Sequence, residues 1–89
     1  MDIRTELDKT QLDVVMADCK AELLSRIERH GNDSFVSSHE CLGKLVEEMH
    51  ELTEEVIAND PAAVEQELWD VAIAAIWAVA SKRAANDWR

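Results

Sequence analysis

The chain has 89 residues, enough for one small domain with a modest core. Nineteen acidic against nine basic side chains give a net charge of −10. That balance excludes general binding to polymeric nucleic acid, which depends on phosphate neutralisation by Lys and Arg. An apolar content of 47% excludes disorder, and two glycines, one proline and few strand-forming residues predict an all-α protein.

Residues from about Thr5 to Arg29 are expected to form the first helix. Leu12, Val15, Met16, Cys19, Leu23 and Ile27 recur at steps of three and four and make one core stripe. Gly31 suits a left-handed cap at its end. Gly31 to Ser38 is irregular, with turn chemistry in Asn32, Asp33 and Ser34, and with Phe35 and Val36 expected to tuck back onto the helices. Ser37 and Glu40 have capping-box spacing, so the second helix is expected from about Ser38 to Ala58. Its core stripe reads Leu42, Leu45, Val46, Met49, Leu52 and Val56, with Glu48, Glu51 and Glu55 on the shoulder.

Asn59-Asp60-Pro61 breaks the chain: Asp60 can cap a helix and Pro61 suits its first turn. The third helix is expected from about Pro61 to Ala85, with Val64, Leu68, Val71, Ala75 and Val79 in one stripe. From Val71 to Ala80 it is apolar all round, more than one neighbouring helix can cover. A homo-oligomer, dimer or tetramer, with this helix in the interface is the expected remedy. The ten apolar residues are too few to span a bilayer, and Met1 to Glu6 lack the apolar core of a signal peptide. A single cytoplasmic domain over 1–89 is therefore expected, with Cys19 and Cys41 as small core thiols rather than a disulfide framework. Trp88, near the end of a polar tail, is expected either to dock or to fray.

The chemistry-bearing stretch runs from Glu47 to Asp70. Glu48 and Glu51 are three apart, as are Glu67 and Asp70, so each pair projects from one side of its helix. A hairpin of the two helices can bring the four carboxylates together. Clustered carboxylates repel one another and resist desolvation, and a hard divalent cation, Mg²⁺ or alternatively Mn²⁺, relieves both. Ordinary helix-surface acidity is the competing reading for Glu48 and Glu51 alone. Glu67 and Asp70 weigh against it, because they open the most apolar helix, beside Leu68 and Trp69.

Glu47-Glu48-x-x-Glu51 followed by Glu67-x-x-Asp70 resembles the signature of the MazG-type all-α nucleoside triphosphate pyrophosphohydrolases. The resemblance spans roughly Arg29 to Ala80, and His30-Gly31-Asn32-Asp33-Ser34-Phe35 with Ser38-His39-Glu40 looks like a short stand-alone subgroup. It implies Glu48, Glu51, Glu67 and Asp70 as metal ligands, and Glu47 as a helper that orients water or supports the ligands. It also implies a helical bundle completed by dimerisation, and hydrolysis of a nucleoside triphosphate to monophosphate and pyrophosphate. Such a house-cleaning enzyme would remove unwanted nucleotides from the pool. Glu47 and Glu51 are both candidates for the base.

A triphosphate also needs cationic help, for which Lys44, Arg29, His30, Lys82 and Arg83 are candidates. An apolar or aromatic wall for the base could come from Phe35, His39, Trp69 or Trp77. His50 could support a ligand or simply lie exposed. No Cys-Pro-Trp-type segment like that of the longer enzymes precedes the acidic motif; the His30 to His39 loop takes its place. The alternatives to an enzyme are a helical protein-interaction module using the apolar third helix and an acidic nucleic-acid mimic. The mimic would spread its acids over an outer face rather than gather them.

Overall fold

The structure is a computed structural model and describes residues 3–85, 87 and 88. Among these residues it is all-helical: α1 (Lys9–His30), α2 (Ser38–Ala58) and α3 (Pro61–Ala84), with no strand. None of these helices is long and apolar enough to cross a membrane. The chain divides after Asn32 into two compact units, the first containing α1 and the second α2 and α3.

The helix of the first unit begins later than the sequence suggests. Asp8 closes a capping box: its carboxylate accepts from the Gln11 N–H at 2.8 Å, and the Gln11 side-chain oxygen accepts from the Asp8 N–H at 2.8 Å. That reciprocal pair starts α1 at Lys9 rather than near Thr5. Gly31 ends it with φ +83° and ψ −173°, and its N–H donates to Ile27 O at 2.8 Å. The positive φ is the one expected, but the ψ is extended rather than that of a left-handed helical cap. Of the expected stripe, Cys19 is buried and Leu23 and Ile27 half-buried, whereas Leu12, Val15 and Met16 are exposed.

In the second unit, Ser37 caps α2 by accepting from the Glu40 N–H at 3.2 Å. The return bond of a capping box is displaced by one residue: the Glu40 carboxylate takes the Val36 N–H at 3.3 Å. Asn59 leaves α2 in the left-handed region (φ 57°, ψ 45°), and Asp60 then caps α3 through the Ala63 N–H at 3.2 Å with Pro61 in the first turn. An Asn and an Asp, both tolerant of turn conformations, thus join α2 to α3 in two residues, and the helices pack as a hairpin.

The hairpin buries different faces from those the apolar stripes mark. On α2 the covered residues are Cys41, Leu45, Glu48, Glu51, Leu52 and Glu55, while Leu42, Val46, Met49 and Val56 are exposed. On α3 Ile73, Ala74, Ala78 and Ser81 are buried and Val64 and Val71 half-buried, while Leu68, Ala75 and Val79 are exposed. Two helices meeting in a hairpin cover only a narrow arc of each other, and small side chains such as Ala74, Ala78 and Ser81 suit close approach. The acidic shoulder of α2 and the alanine side of α3 take that arc. Ile73 reaches into it and Leu45 and Leu52 are half-covered, whereas Leu42, Val46, Met49 and Val56 of α2 and Leu68 and Val79 of α3 stay outside it.

The segment before α2 is fastened to the far end of α3. The Trp77 indole N–H donates to Asp33 O at 2.9 Å. The Phe35 N–H donates to Ser81 Oγ at 3.0 Å, and that hydroxyl donates to Trp77 O at 2.7 Å. Trp88 docks: its indole N–H donates to Phe35 O at 3.2 Å. Phe35 is half-buried, as expected of a residue that tucks back, but Val36 is exposed. Cys19 and Cys41 are free thiols, buried and half-buried.

These faces separate two substitutions on α3. Ile73 is 5% exposed and Ile76 38%. Ile73→Glu places an unpaired charge in the interior and is expected to destabilise the fold by about 3 kcal/mol or more. Ile76→Glu, on the exposed face of α3, should keep helicity and lower the unfolding midpoint much less than Ile73→Glu. Thermal unfolding followed by circular dichroism tests the contrast, and equal losses in both variants would show the burial assigned to Ile73 to be wrong.

Candidate metal centre

Helix geometry puts the two acidic pairs level with each other. Glu51 stands eight residues before Asn59 and Glu67 seven after Asp60; Glu48 stands eleven before and Asp70 ten after. At about 1.5 Å rise per residue, the two members of each level differ in height by roughly one residue. One carboxylate oxygen from each of Glu48, Glu51, Glu67 and Asp70 lies within 4.8 Å of the other three. Opposed ligands about 2.1 to 2.5 Å from an oxygen-bound divalent cation stand roughly 4.2 to 5 Å apart, so the span is of the right size. It does not choose among Mg²⁺, Mn²⁺ and Ca²⁺.

The four carboxylates differ in surroundings. Glu48 is buried, 6% exposed, while the other three are half-buried. Glu48 Oε1 accepts from Lys44 Nζ at 2.9 Å. Glu48 Oε2 and Glu67 Oε2 are shut off from solvent and meet no hydrogen-bond donor. Buried polar atoms without partners are uncommon in folded proteins, and two carboxylate oxygens in one cluster leave coordination sites that a cation would fill. The donor set is all carboxylate oxygen, which suits a hard divalent cation.

Electrostatics agree with the geometry. The Glu48 charge, helped by desolvation, pushes the Glu51 carboxyl above the ordinary range. Desolvation, then the charges of Asp70 and Glu51, push Glu67 up in the same way. Lys44 is raised, chiefly by its hydrogen bond to Glu48 against an opposing effect of its own partial burial. At Glu51 and Glu67 the charged form is penalised by neighbouring charge and desolvation, whereas at Lys44 the neighbouring carboxylates favour it.

The remaining candidates fall in varied places. Glu47 is exposed, with Oε1 3.9 Å from Lys44 Nζ. His39 is exposed in the first turn of α2, and His50 is exposed and pairs with Glu54 at 2.7 Å, an ordinary helix-surface contact. Phe35 and Trp77 are committed to the clasp between the 33–36 segment and α3, through main-chain groups and the indole N–H respectively. Trp69 is half-buried. Arg29 belongs to the first unit, where it lies 3.6 Å from Glu22. Lys82 and Arg83 are exposed in the last turn of α3. The sequence reading passed over Ser81, whose buried hydroxyl joins the loop to α3. Its place four residues after Trp77, on the Ala74–Ala78 line, was the available signal.

No protein-family model, curated protein or solved structure matches the chain.

The raised carboxyls predict an unusual pH response of the metal-free protein. Glu51 and Glu67 titrate higher folded than unfolded. Their contribution to stability is therefore fully present below the ordinary Glu range, and it is lost as pH rises through the folded values. Denaturant unfolding with chelator, from mildly acidic to neutral pH, should show this loss, and Glu67→Gln should flatten it. Mg²⁺ or Mn²⁺ should restore stability at neutral pH in the wild type. Equal pH dependence in wild type and Glu67→Gln would contradict the repulsion described.

Proposed function

We propose that the chain is a Mg²⁺-dependent nucleoside triphosphate pyrophosphohydrolase of the MazG-like all-α kind, acting on deoxynucleotides or aberrant nucleotides and working as a homo-oligomer. The observation that carries the reading is the convergence of Glu48, Glu51, Glu67 and Asp70, with two buried carboxylate oxygens lacking donors. Surface acidity alone does not explain a carboxylate as buried as Glu48.

In this reading the four carboxylates would hold the cation, which when bound would neutralise phosphate charge and lower the pKa of water. Hydrolysis would add water at the α-phosphorus, break the bond to the α–β bridging oxygen, and release pyrophosphate and the monophosphate. Glu47 is the better candidate to orient that water and take its proton. It is exposed and lies outside the ligand cluster, whereas the lone pairs of Glu51 would be engaged there. Lys44, paired with Glu47 and Glu48 at the edge of the cluster, would meet a phosphate oxygen. The Trp77 indole N–H is taken by Asp33 O, so a base could use only the ring face.

The exposed apolar line Leu42, Val46, Met49 and Val56 on α2, with Leu68, Ile76 and Val79 on α3, supports the oligomer. The same exposed side chains favour the second reading, a helical interaction module in which the carboxylates have no chemical role.

Pyrophosphate release from a panel of canonical and modified nucleoside triphosphates, with Mg²⁺, with Mn²⁺ and with chelator, separates the two. Glu51→Gln and Asp70→Asn are expected to lower turnover by about 10²-fold or more while keeping helicity, and Glu47→Gln to lower it with metal binding intact. Full activity in Glu51→Gln and Asp70→Asn would overturn the assignment. Absence of both turnover and metal binding in the wild type would favour the interaction module.

A further inference from the structure

We infer that Lys44 is a tethered counter-ion for Glu48, holding the buried carboxylate while no divalent cation is present and giving it up when one binds. The inference rests on the metal-binding reading proposed above. It concerns an exchange of cations within one helix, with no covalent step.

Glu48 is too buried to be solvated by water, and its two oxygens are treated differently. Oε1 takes the Lys44 ammonium at 2.9 Å, and Oε2 has no donor. A single monovalent charge therefore satisfies half of one carboxylate, in a cluster of four. Lys44 is also suited to leave. It reaches Glu48 from one turn earlier on α2, its side chain is 43% exposed, and its four-carbon stem can swing outward into water. A compact ammonium is held by one contact to Glu48 and a loose one to Glu47 at 3.9 Å, without the fork that would lock an Arg in place.

A divalent cation among the four carboxylates would repel the ammonium and compete for the lone pairs of Glu48. The displaced Lys44 stays anchored on α2 beside Glu47, at the edge of the cluster. There its freed charge can meet an anion. Cation binding and anion binding would thus be coupled: until the cation arrives, the lysine is occupied and the carboxylates repel phosphate. Lys44 is in this sense a positioning residue whose availability is set by the metal.

The test is an NMR titration of the full chain with Mg²⁺, following the lysine ammonium groups by their ¹⁵N signals and the glutamate and aspartate carboxyl carbons by ¹³C. The Lys44 signal is assigned by its absence in Lys44→Gln. In the metal-free protein the Lys44 ammonium should be sharp, protected by Glu48, and Mg²⁺ should broaden or erase it as the Glu48 carboxyl resonance shifts. Free Mn²⁺ followed by electron paramagnetic resonance should show Lys44→Gln binding about three- to tenfold more tightly than wild type, as expected when a competing charge is removed at a partly screened site. A Lys44 signal unchanged by Mg²⁺ while the cluster carboxyls shift would overturn the counter-ion role and leave the metal centre standing. Carboxyl resonances indifferent to both cations would overturn both.

Discussion

Glu48, Glu51, Glu67 and Asp70 share the face on which α2 and α3 pack, and their mutual repulsion works against the hairpin that brings them together. The hairpin forms nonetheless because its other determinants are local and mutually consistent. Asn59 adopts the left-handed turn conformation, Asp60 caps α3, and Pro61 pre-sets the first turn. Leu45, Leu52, Ile73 and Ala74 supply apolar cover around the acids. Repulsion is relieved in part by Lys44 and in part by raised proton affinity at Glu51 and Glu67. A site assembled against its own electrostatics would favour an added cation, because positive charge among the carboxylates offsets their repulsion.

The same packing choice governs the rest of the surface. Since the acid-bearing arc of α2 faces the alanine-rich arc of α3, several of the larger aliphatic side chains of both helices remain exposed. Leu42, Val46, Met49, Val56 and Val79 thus lie open to water, a surface that the proposed self-association would cover. The clasp formed by Trp77, Ser81 and Trp88 fixes the chain entering α2 by hydrogen bonds to main-chain groups of Asp33 and Phe35. It braces one end of the hairpin while the turn at Asn59 and Asp60 braces the other, with the carboxylates between them.

Much of this was determined by the sequence alone. Helix class, the boundaries of α2 and α3, the caps at Ser37 and Asp60 and the break at Asn59 depend on interactions within a few residues, so they are readable from residue type and spacing. The pairing of Glu48 with Glu51 and of Glu67 with Asp70 follows from helical periodicity, and their similar distance from the turn made convergence legible once a hairpin was assumed. The later start of α1 depended on which acceptor closed the capping box, Asp8 with Gln11, a choice that apolar periodicity does not register.

Tertiary structure alone decided which face of each helix is covered. Apolar spacing marks Leu42, Val46, Met49 and Val56 as a stripe, but a stripe does not say whether α3 or another surface takes it. That depends on the rotation of each helix at the turn and on how closely side chains such as Ala74 and Ala78 allow the backbones to approach. Trp77 likewise reads as an aromatic wall from residue type, and only its long-range bond to Asp33 O shows it holding a loop. The burial of Glu48, with one oxygen on Lys44 and the other without a donor, is also tertiary, because desolvation is a property of what packs around a group and not of its spacing along the chain.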